Sequence, residues 1–190
     1  IGIPPGEALR EKAANSLGAT LMNEIGVANA SFGTGVGQPI IRGQTGNRVS
    51  ILQNGISLTD ASNVSPDHVN GTEALLADRI EVIRGPSTLL YGSGAVGGVV
   101  NVIDNRIPEK VTEQIVLEQK YNTVSNNRQT AFKFDGGKSK FAYHFDGYYS
   151  KKDDTKISGD AIDATRAQIS QSGTAFPENS DGFINNSEAD

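Results

Sequence analysis

The glycine-rich stretch GSGAVGG, residues 92–98, has the spacing of a nucleotide-binding turn. Gly92, Gly94 and Gly97 form the pattern G-x-G-x-x-G, which identifies a dinucleotide-binding unit when a strand precedes it and a helix follows it. Here a helical segment precedes the glycines and an apolar strand follows them, so the order is reversed. No helix N-terminus is then available to receive a pyrophosphate. The stretch therefore predicts a turn of the backbone and not a cofactor site.

The short motifs of nucleophilic and hydrolytic catalysis are missing from the sequence. It contains no G-x-S-x-G, no H-E-x-x-H, no P-loop and no cysteine. These motifs would supply an activated serine, a zinc-bound water, a phosphate cradle or a thiolate. We therefore interpret the chain as a protein that is not an enzyme and that requires no cofactor.

Composition and charge narrow the class of protein further. The chain has 190 residues, of which 36% are hydrophobic and 22 are glycine, and its net charge is −5. A net negative chain without a lysine- or arginine-rich stripe does not predict nucleic-acid binding. The lack of cysteine excludes a disulfide scaffold, and no apolar run approaches the ~20 residues of a membrane-spanning helix. Because the chain begins at Ile1 and ends inside a polar stretch, we expect it to be part of a longer protein.

The first hundred residues predict a compact α+β domain. Apolar residues recur every fourth position over 7–26, which predicts a helix with Ser16 as a starting cap and Gly26 at its end. From about residue 38 to 107 the sequence has short strands separated by turns, including the hairpin signal Asn54-Gly55.

The last part of that domain combines a strand, a short helix and a second strand. Residues 79–84 form an apolar strand, and Pro86 suits the first position of a short helix that Gly92 ends. The run VVNVID then closes the domain as another apolar strand.

From residue 113 the pattern changes to long alternating segments. In 113–121, 128–135 and 141–149, aliphatic or aromatic residues occupy one face and polar residues the other. Membrane β-barrel strands have this pattern, with the apolar face outward and the polar face toward the lumen. A soluble antiparallel sheet with one hydrated face is the alternative interpretation of the strands alone.

Three segments together resemble the plug domain of TonB-dependent outer-membrane receptors. They are IIRG at 40–43, RVSILQNGI at 48–56 and RIEVIRGPSTLLYGSGAVGGVVNVID at 79–104. The resemblance implies an α+β plug domain followed by the first antiparallel strands of a transmembrane β-barrel that is incomplete in this chain. It implies a plug over 1–107, barrel strands over 108–151, and a long extracellular loop over 152–190.

The resemblance also implies a function and its partners. A receptor of this family lies in the bacterial outer membrane, binds a scarce nutrient at the cell surface and imports it into the periplasm. The TonB-ExbB-ExbD complex supplies the energy, through a contact segment that this chain does not include. The alternative in a different class is a soluble β-rich binding module.

Several positions match residues that have a role in the family. The resemblance implies that Arg42 and Arg84 pair with glutamates on the barrel wall. We expect Asp78, Arg79 and Glu81 to add local polar contacts. A solvated charge at a strand end is the alternative for the two arginines. An architectural role in the plug is implied for Gly43, Gly85, Gly92, Gly94, Gly97 and Gly98.

The cargo implied by the resemblance is a metal ion. The loop SPDHV and the strand ending VVNVIDNRIP resemble the zinc-receptor branch of the family, the ZnuD type. Imidazole and carboxylate groups suit Zn²⁺, so Asp67 and His68 are the candidate ligands, and His144 is a third candidate on the lumenal face. An ordinary loop histidine and a wall histidine without a ligand are the alternatives. Haem and iron-siderophore complexes are the alternative cargoes.

Overall fold

The computed structural model of the protein describes residues 2–3, 6–33, 35–58, 73–104, 106, 111, 113–158 and 183–184. Contacts divide the chain into two units. The first consists of Ile1–Glu118 with Ala131–Tyr148, and the second of Gln119–Thr130 with Tyr149–Asp190. Among the residues described, no helix has the length and hydropathy needed to cross a membrane.

Three short elements open the chain: β1 (Gly2–Ile3), α1 (Glu7–Lys12) and α2 (Leu17–Leu21). The prediction of one helix over 7–26 is therefore wrong. Ala13 leaves the helical conformation with ψ 122°, and Ser16 starts a new helix by accepting a hydrogen bond from the Ala19 N–H at 3.2 Å. Serine at this position satisfies a donor that the helix itself cannot pair. Gly26 does not end a helix, because it directly precedes the next strand.

A two-stranded antiparallel sheet packs against α2, formed by β2 (Val27–Ser31) and β3 (Gly37–Ile41). The contact is close at Gly18. A Cβ atom there would lie 2.3 Å from Asn29 Oδ1 and 2.7 Å from the carbonyl oxygen of Gln38. Glycine is therefore required at this crossing, although it disfavours a helix by about 1 kcal/mol relative to alanine.

Four further strands complete a five-stranded sheet: β4 (Val49–Gln53), β5 (Ile56–Ser57), β6 (Arg79–Ile83) and β7 (Gly98–Ile103). The strand order is β1-β6-β7-β4-β5, and only β4 and β7 are parallel. Asn54 and Gly55 join β4 to β5 with φ angles of 52° and 81°. Both angles are left-handed, as a two-residue hairpin of type I′ requires, so the predicted turn is confirmed.

Short 3-10 helices connect these strands: Gly46–Arg48, Pro86–Tyr91 and Ser93–Ala95. The short helix predicted after Pro86 is present in this tighter form. Gly92 ends it with a φ of 88°, and β7 follows, so the order of elements around the glycine-rich stretch is as predicted.

Three long strands follow: β8 (Gln114–Asn122), β9 (Asn127–Lys138) and β10 (Phe141–Lys151). They form a separate sheet in the order β10-β9-β8. β9 extends beyond the alternating segment 128–135 and continues through Gly136 and Gly137. Only Ser139 and Lys140 form the turn, with Ser139 at φ 59°.

The segment 152–190, predicted as a long loop, contains one short strand pair among its described residues. It consists of β11 (Thr155–Lys156) and β12 (Phe183–Ile184), which pair antiparallel.

Buried aliphatic side chains of the first unit form one large cluster. Leu9, Leu21 and Ile80 are fully buried members from the helices and the five-stranded sheet. Ala131 of β9 belongs to the same cluster, and Tyr148 of β10 packs against it. Burial of each large aliphatic side chain contributes roughly 1.5–3 kcal/mol. β9 and β10 therefore share a hydrophobic core with the N-terminal domain, residues 2–104.

Candidate functional site

Strands β8, β9 and β10 expose apolar side chains, and β9 also buries polar ones. In β9, Lys133 and Asp135 are 6% and 2% exposed, whereas Phe134 between them is 38% exposed. The exposed apolar set is Ile115, Leu117, Tyr121, Phe132, Phe134, Phe141, Tyr143, Phe145 and Tyr149. The predicted alternation is therefore present in all three strands. We call the face formed by Ala131, Lys133, Asp135, His144, Asp146 and Tyr148 the inner face.

Lys133 is the buried cation of the inner face. Its Nζ contacts Asp78 Oδ1 at the start of β6 and lies 3.7 Å from Asp135 Oδ2. The side chain of Lys133 is 7% exposed and that of Asp135 is 1% exposed. A buried ammonium group needs such carboxylates, because desolvation of an unpaired ion costs several kcal/mol.

His144 lies between two carboxylates of the same face. Its Nδ1 contacts Asp135 Oδ1, and its Nε2 lies 3.0 Å from Asp146 Oδ1. Both ring nitrogens of His144 therefore have a carboxylate oxygen as partner. A metal ion at His144 would have to displace one of the two carboxylates.

Arg106 continues the series of charges beyond Asp146. Its Nε lies 4.0 Å from Asp146 Oδ1 and 2.9 Å from Asp104 Oδ2. Asp104 follows β7 and also accepts hydrogen bonds from Gln53 Nε2 at 2.8 Å and Asn54 Nδ2 at 2.7 Å. The carboxylate therefore holds the end of β7 against the β4–β5 hairpin.

These contacts shift the pKa of Asp104 downward. Burial alone would raise this pKa, but the hydrogen bonds from Asn54 and Gln53 outweigh it. The Arg106 N–H and the Arg106 guanidinium lower it further. Asp104 is therefore held as a carboxylate with a pKa below the ordinary value.

The charged residues form one connected series, which we call the charge network: Asp78, Lys133, Asp135, His144, Asp146, Arg106 and Asp104. It connects the start of β6 and the end of β7 to the inner face of β9 and β10. These two strand ends lie side by side, because Arg79 and Ile103 are paired in the antiparallel register.

Arg79 and Glu81 pair with each other on the surface of the five-stranded sheet. Arg79 Nε lies 3.0 Å from Glu81 Oε1, and Asn101 Nδ2 donates to Glu81 Oε2 at 3.3 Å. These contacts lie within the sheet. The predicted participation of the pair in contacts with the barrel stays a prediction.

Arg42 and Arg84 lie at the other end of the sheet from Asp78. Arg84 Nη1 donates to the carbonyl oxygen of Ile25, and Arg42 has a left-handed φ of 55°. Arg42 Nη2 is 3.9 Å from the position of a Cβ built on Gly85, so the two guanidinium-bearing loops are neighbours. In the described part of the chain, no carboxylate forms an ion pair with either arginine. Their pairing with wall glutamates stays a prediction.

Several glycines of the stretch 92–98 lie close to the backbone or side chains of other segments. A Cβ on Gly97 would lie 2.6 Å from Gln44 Cβ and 3.0 Å from the carbonyl oxygen of Ile41. No larger residue fits there without displacing backbone atoms. The other glycines predicted as architectural have positive φ or short Cβ distances: Gly43, Gly85, Gly92, Gly94 and Gly98.

The predicted metal ligands are not brought together by the described residues. Asp67 and His68 lie in 59–72, outside the part of the chain that the structure describes. Within the described ranges, no group of three or more histidine, cysteine, aspartate or glutamate side chains is arranged to hold a metal ion. The metal-binding roles of Asp67, His68 and His144 stay predictions.

Sequence reasoning missed Lys133, Asp135 and Arg106 as components of a site. A signal for the first two was present, because they alternate with Phe132 and Phe134 and so share a face with Ala131. Two opposite charges on the polar face of such a strand indicate a buried ion pair. Nothing in the local sequence indicates that Arg106 reaches Asp146.

Comparison with known proteins relates this architecture to one family. The profile of the TonB-dependent Receptor Plug Domain matches residues 3–99. The copper transporter OprC is similar with 22% identity and a TM-score of 0.66, covering 83% of this chain and 24% of that chain.

Two siderophore receptors are also similar. PirA from Pseudomonas aeruginosa has 26% identity and a TM-score of 0.56, covering 79% of this chain and 28% of that chain. PirA from Acinetobacter baumannii has 27% identity and a TM-score of 0.52, with 70% and 21% covered. The chain thus spans about a quarter of the structures that it matches.

Proposed function

We propose that this chain, which belongs to the family of TonB-dependent receptor plug domains, forms the plug and first wall strands of an outer-membrane receptor that imports a scarce nutrient. The plug is the N-terminal domain, and β8, β9 and β10 are the wall strands. The energy for import comes from the TonB-ExbB-ExbD complex.

The observation that carries this proposal is that β8, β9 and β10 expose an apolar face while β9 buries charged side chains. Phe132 and Phe145 are 50% and 61% exposed, whereas Lys133 and Asp135 are almost fully buried. In water this arrangement is unfavourable, because it exposes aromatic surface and buries charge. In a bilayer the exposed aromatic face contacts lipid, and the inner face contacts the plug.

The first prediction concerns location and energy coupling. The full-length protein should fractionate with the outer membrane and require detergent for extraction. Its nutrient uptake should stop in cells that lack TonB. Recovery in the soluble fraction without detergent would contradict the proposal and favour a soluble β-rich binding module.

We propose that the cargo is a metal ion or metal chelate, with zinc as the leading candidate. Asp67 and His68 are adjacent in a polar loop and supply the oxygen and nitrogen ligands that Zn²⁺ accepts. The named relatives, a copper transporter and siderophore receptors, support metal-linked cargo as a class. Haem and iron-siderophore complexes remain the alternatives.

The second prediction tests the zinc ligands. Titration calorimetry of the full-length receptor should show Zn²⁺ binding, and His68→Ala should weaken it by about tenfold or more, since even outer-sphere partners of zinc contribute 10–100-fold. Asn63→Ala, in the same segment, serves as the control. Identical zinc isotherms for wild type and His68→Ala would remove this loop from the site. Binding of haem or ferric siderophore in place of zinc would favour the alternative cargoes.

A further inference from the structure

Each of the three wall strands makes an ion pair either with a residue of the plug or with Arg106, which lies just after it. The pairs are Arg10 with Glu118 of β8 at 3.9 Å, Asp78 with Lys133 of β9, and Arg106 with Asp146 of β10 at 4.0 Å.

The three pairs differ in burial and therefore in strength. Arg10 and Glu118 are 23% and 28% exposed at their side chains, and partly hydrated pairs of this kind contribute little. Lys133 is 7% exposed and is also close to Asp135. Separating Lys133 from Asp78 would leave a buried ammonium group with only Asp135 near it, which is unfavourable.

Apolar packing supports the same contact. Ala131 lies two residues before Lys133 on the inner face and is 2% exposed within the main core cluster. Tyr148, two residues after Asp146, packs against that cluster. The polar and apolar contacts thus occur on one continuous surface of β9 and β10.

The two ends of the plug sheet are held differently. At the Asp78 and Asp104 end, the charge network and the core packing join the sheet to the wall strands. At the other end, Arg42 and Arg84 form no ion pair with a carboxylate among the described residues. One end is therefore fixed by contacts within this chain.

We propose that the Asp78–Asp104 edge of the plug is a permanent docking surface for the inner face of β9 and β10, which stays in place while the receptor imports its cargo. Rearrangement of the plug is then confined to parts outside this edge. Displacing the edge would expose the apolar contacts of Ala131 and Tyr148 with the core cluster. It would also leave the buried Lys133 with one fewer carboxylate partner. This inference rests on the proposed function for the transport step, and on the contacts alone for the docking.

The docking is tested by amide hydrogen exchange on the purified full-length receptor. Lys133→Met should speed exchange of the β6 amides, Arg79–Ile83, by about tenfold or more, since local opening sets the exchange rate. Lys138→Met is the matched control, because Lys138 lies on the same strand and is exposed. Lys133→Arg should restore most of the protection. Equal exchange in the Lys133→Met and Lys138→Met receptors would overturn the docking surface.

The permanence of the contact is tested by cross-linking. In cells that express the receptor with Asp78→Cys and Lys133→Cys, a short bifunctional maleimide cross-links the two cysteines. Uptake of radiolabelled zinc and of a ferric siderophore is then measured. Uptake should persist in the cross-linked receptor. Its loss, while the two single-cysteine receptors treated identically still import, would show that the edge must move. A wild-type receptor that imports neither probe would count against the proposed function, while the exchange comparison still decides the docking.

Discussion

The buried carboxylate of Asp104 is tolerated because its partners come from different parts of the chain. Asp104 accepts from Gln53 and Asn54 at 2.8 Å and 2.7 Å and pairs with Arg106 at 2.9 Å. Hydrogen bonds to a charged group contribute more than neutral ones, roughly 1.5–3 kcal/mol each. A single carboxylate therefore fixes the relative positions of β7 and the β4–β5 hairpin.

The third prediction, at the scale of this residue, concerns pH. The folded pKa of Asp104 is lower than its ordinary value, about 3.9 in an unfolded chain. Its contribution to stability is therefore fully present above that value and is lost as pH falls through the lowered folded pKa. Asp104→Asn should destabilise the plug at neutral pH and abolish this acid-dependent component. Plug unfolding of the full-length receptor in detergent, followed against denaturant at several pH values, measures both.

An exposed aspartate provides the control for that measurement. Asp153 is exposed, so Asp153→Asn should leave both the neutral-pH stability and its decline in acid unchanged. Parallel pH curves for wild type and Asp104→Asn would show that Asp104 makes no such contribution.

At the scale of the elements, the sequence predicted the secondary structure correctly where the pattern depends on neighbouring residues. The turn at Asn54-Gly55, the short helix after Pro86 and the alternation of the three long strands all depend on neighbouring residues. The single helix over 7–26 was wrong, because Ser16 caps a second helix more favourably than it continues the first.

The charge network illustrates what local patterns could not supply. Asp78 and Lys133 are 55 residues apart in the chain, and their contact exists only because the wall strands fold back onto the plug. Alternation predicts that Lys133 and Asp135 share a face, but it does not specify what that face contacts. The glycine spacing is the reverse case, because a local pattern is present without the function it suggests. Gly97 fits the dinucleotide motif, but in the structure it allows a close approach to the backbone of Ile41.

At the scale of the whole molecule, the medium that the exposed face of the wall strands contacts, water or lipid, determines which substitutions are tolerated there. Phe134 and Tyr143 lie with ring centroids 5.6 Å apart, and Tyr143 and Phe145 6.2 Å apart, on the exposed face. In water, an exposed aromatic group of this size is a liability. In lipid it is the favourable surface.

The fourth prediction distinguishes these two solvents. Phe145→Arg should reduce the amount of full-length receptor in the outer membrane, because an arginine facing the bilayer midplane costs about 2–4 kcal/mol. Phe145→Leu keeps the apolar surface and should assemble normally. Quantitative blotting of outer-membrane fractions measures both variants. A neutral or solubilising effect of Phe145→Arg would instead indicate that this face contacts water.

The order β10-β9-β8 leaves two strands with a partner on one side only among the described residues. β10 has 11 residues, so its margin facing away from β9 extends for about 37 Å at 3.4 Å per residue. Hydrocarbon offers no hydrogen-bonding partner for the N–H and C=O groups along that margin. In the proposed receptor, a strand that pairs with β10 must therefore satisfy the N–H and C=O groups along this margin. Tilted by about 40°, a strand of this length covers the apolar band of roughly 25 Å. The length of β10 therefore sets the length over which such a strand must pair with it.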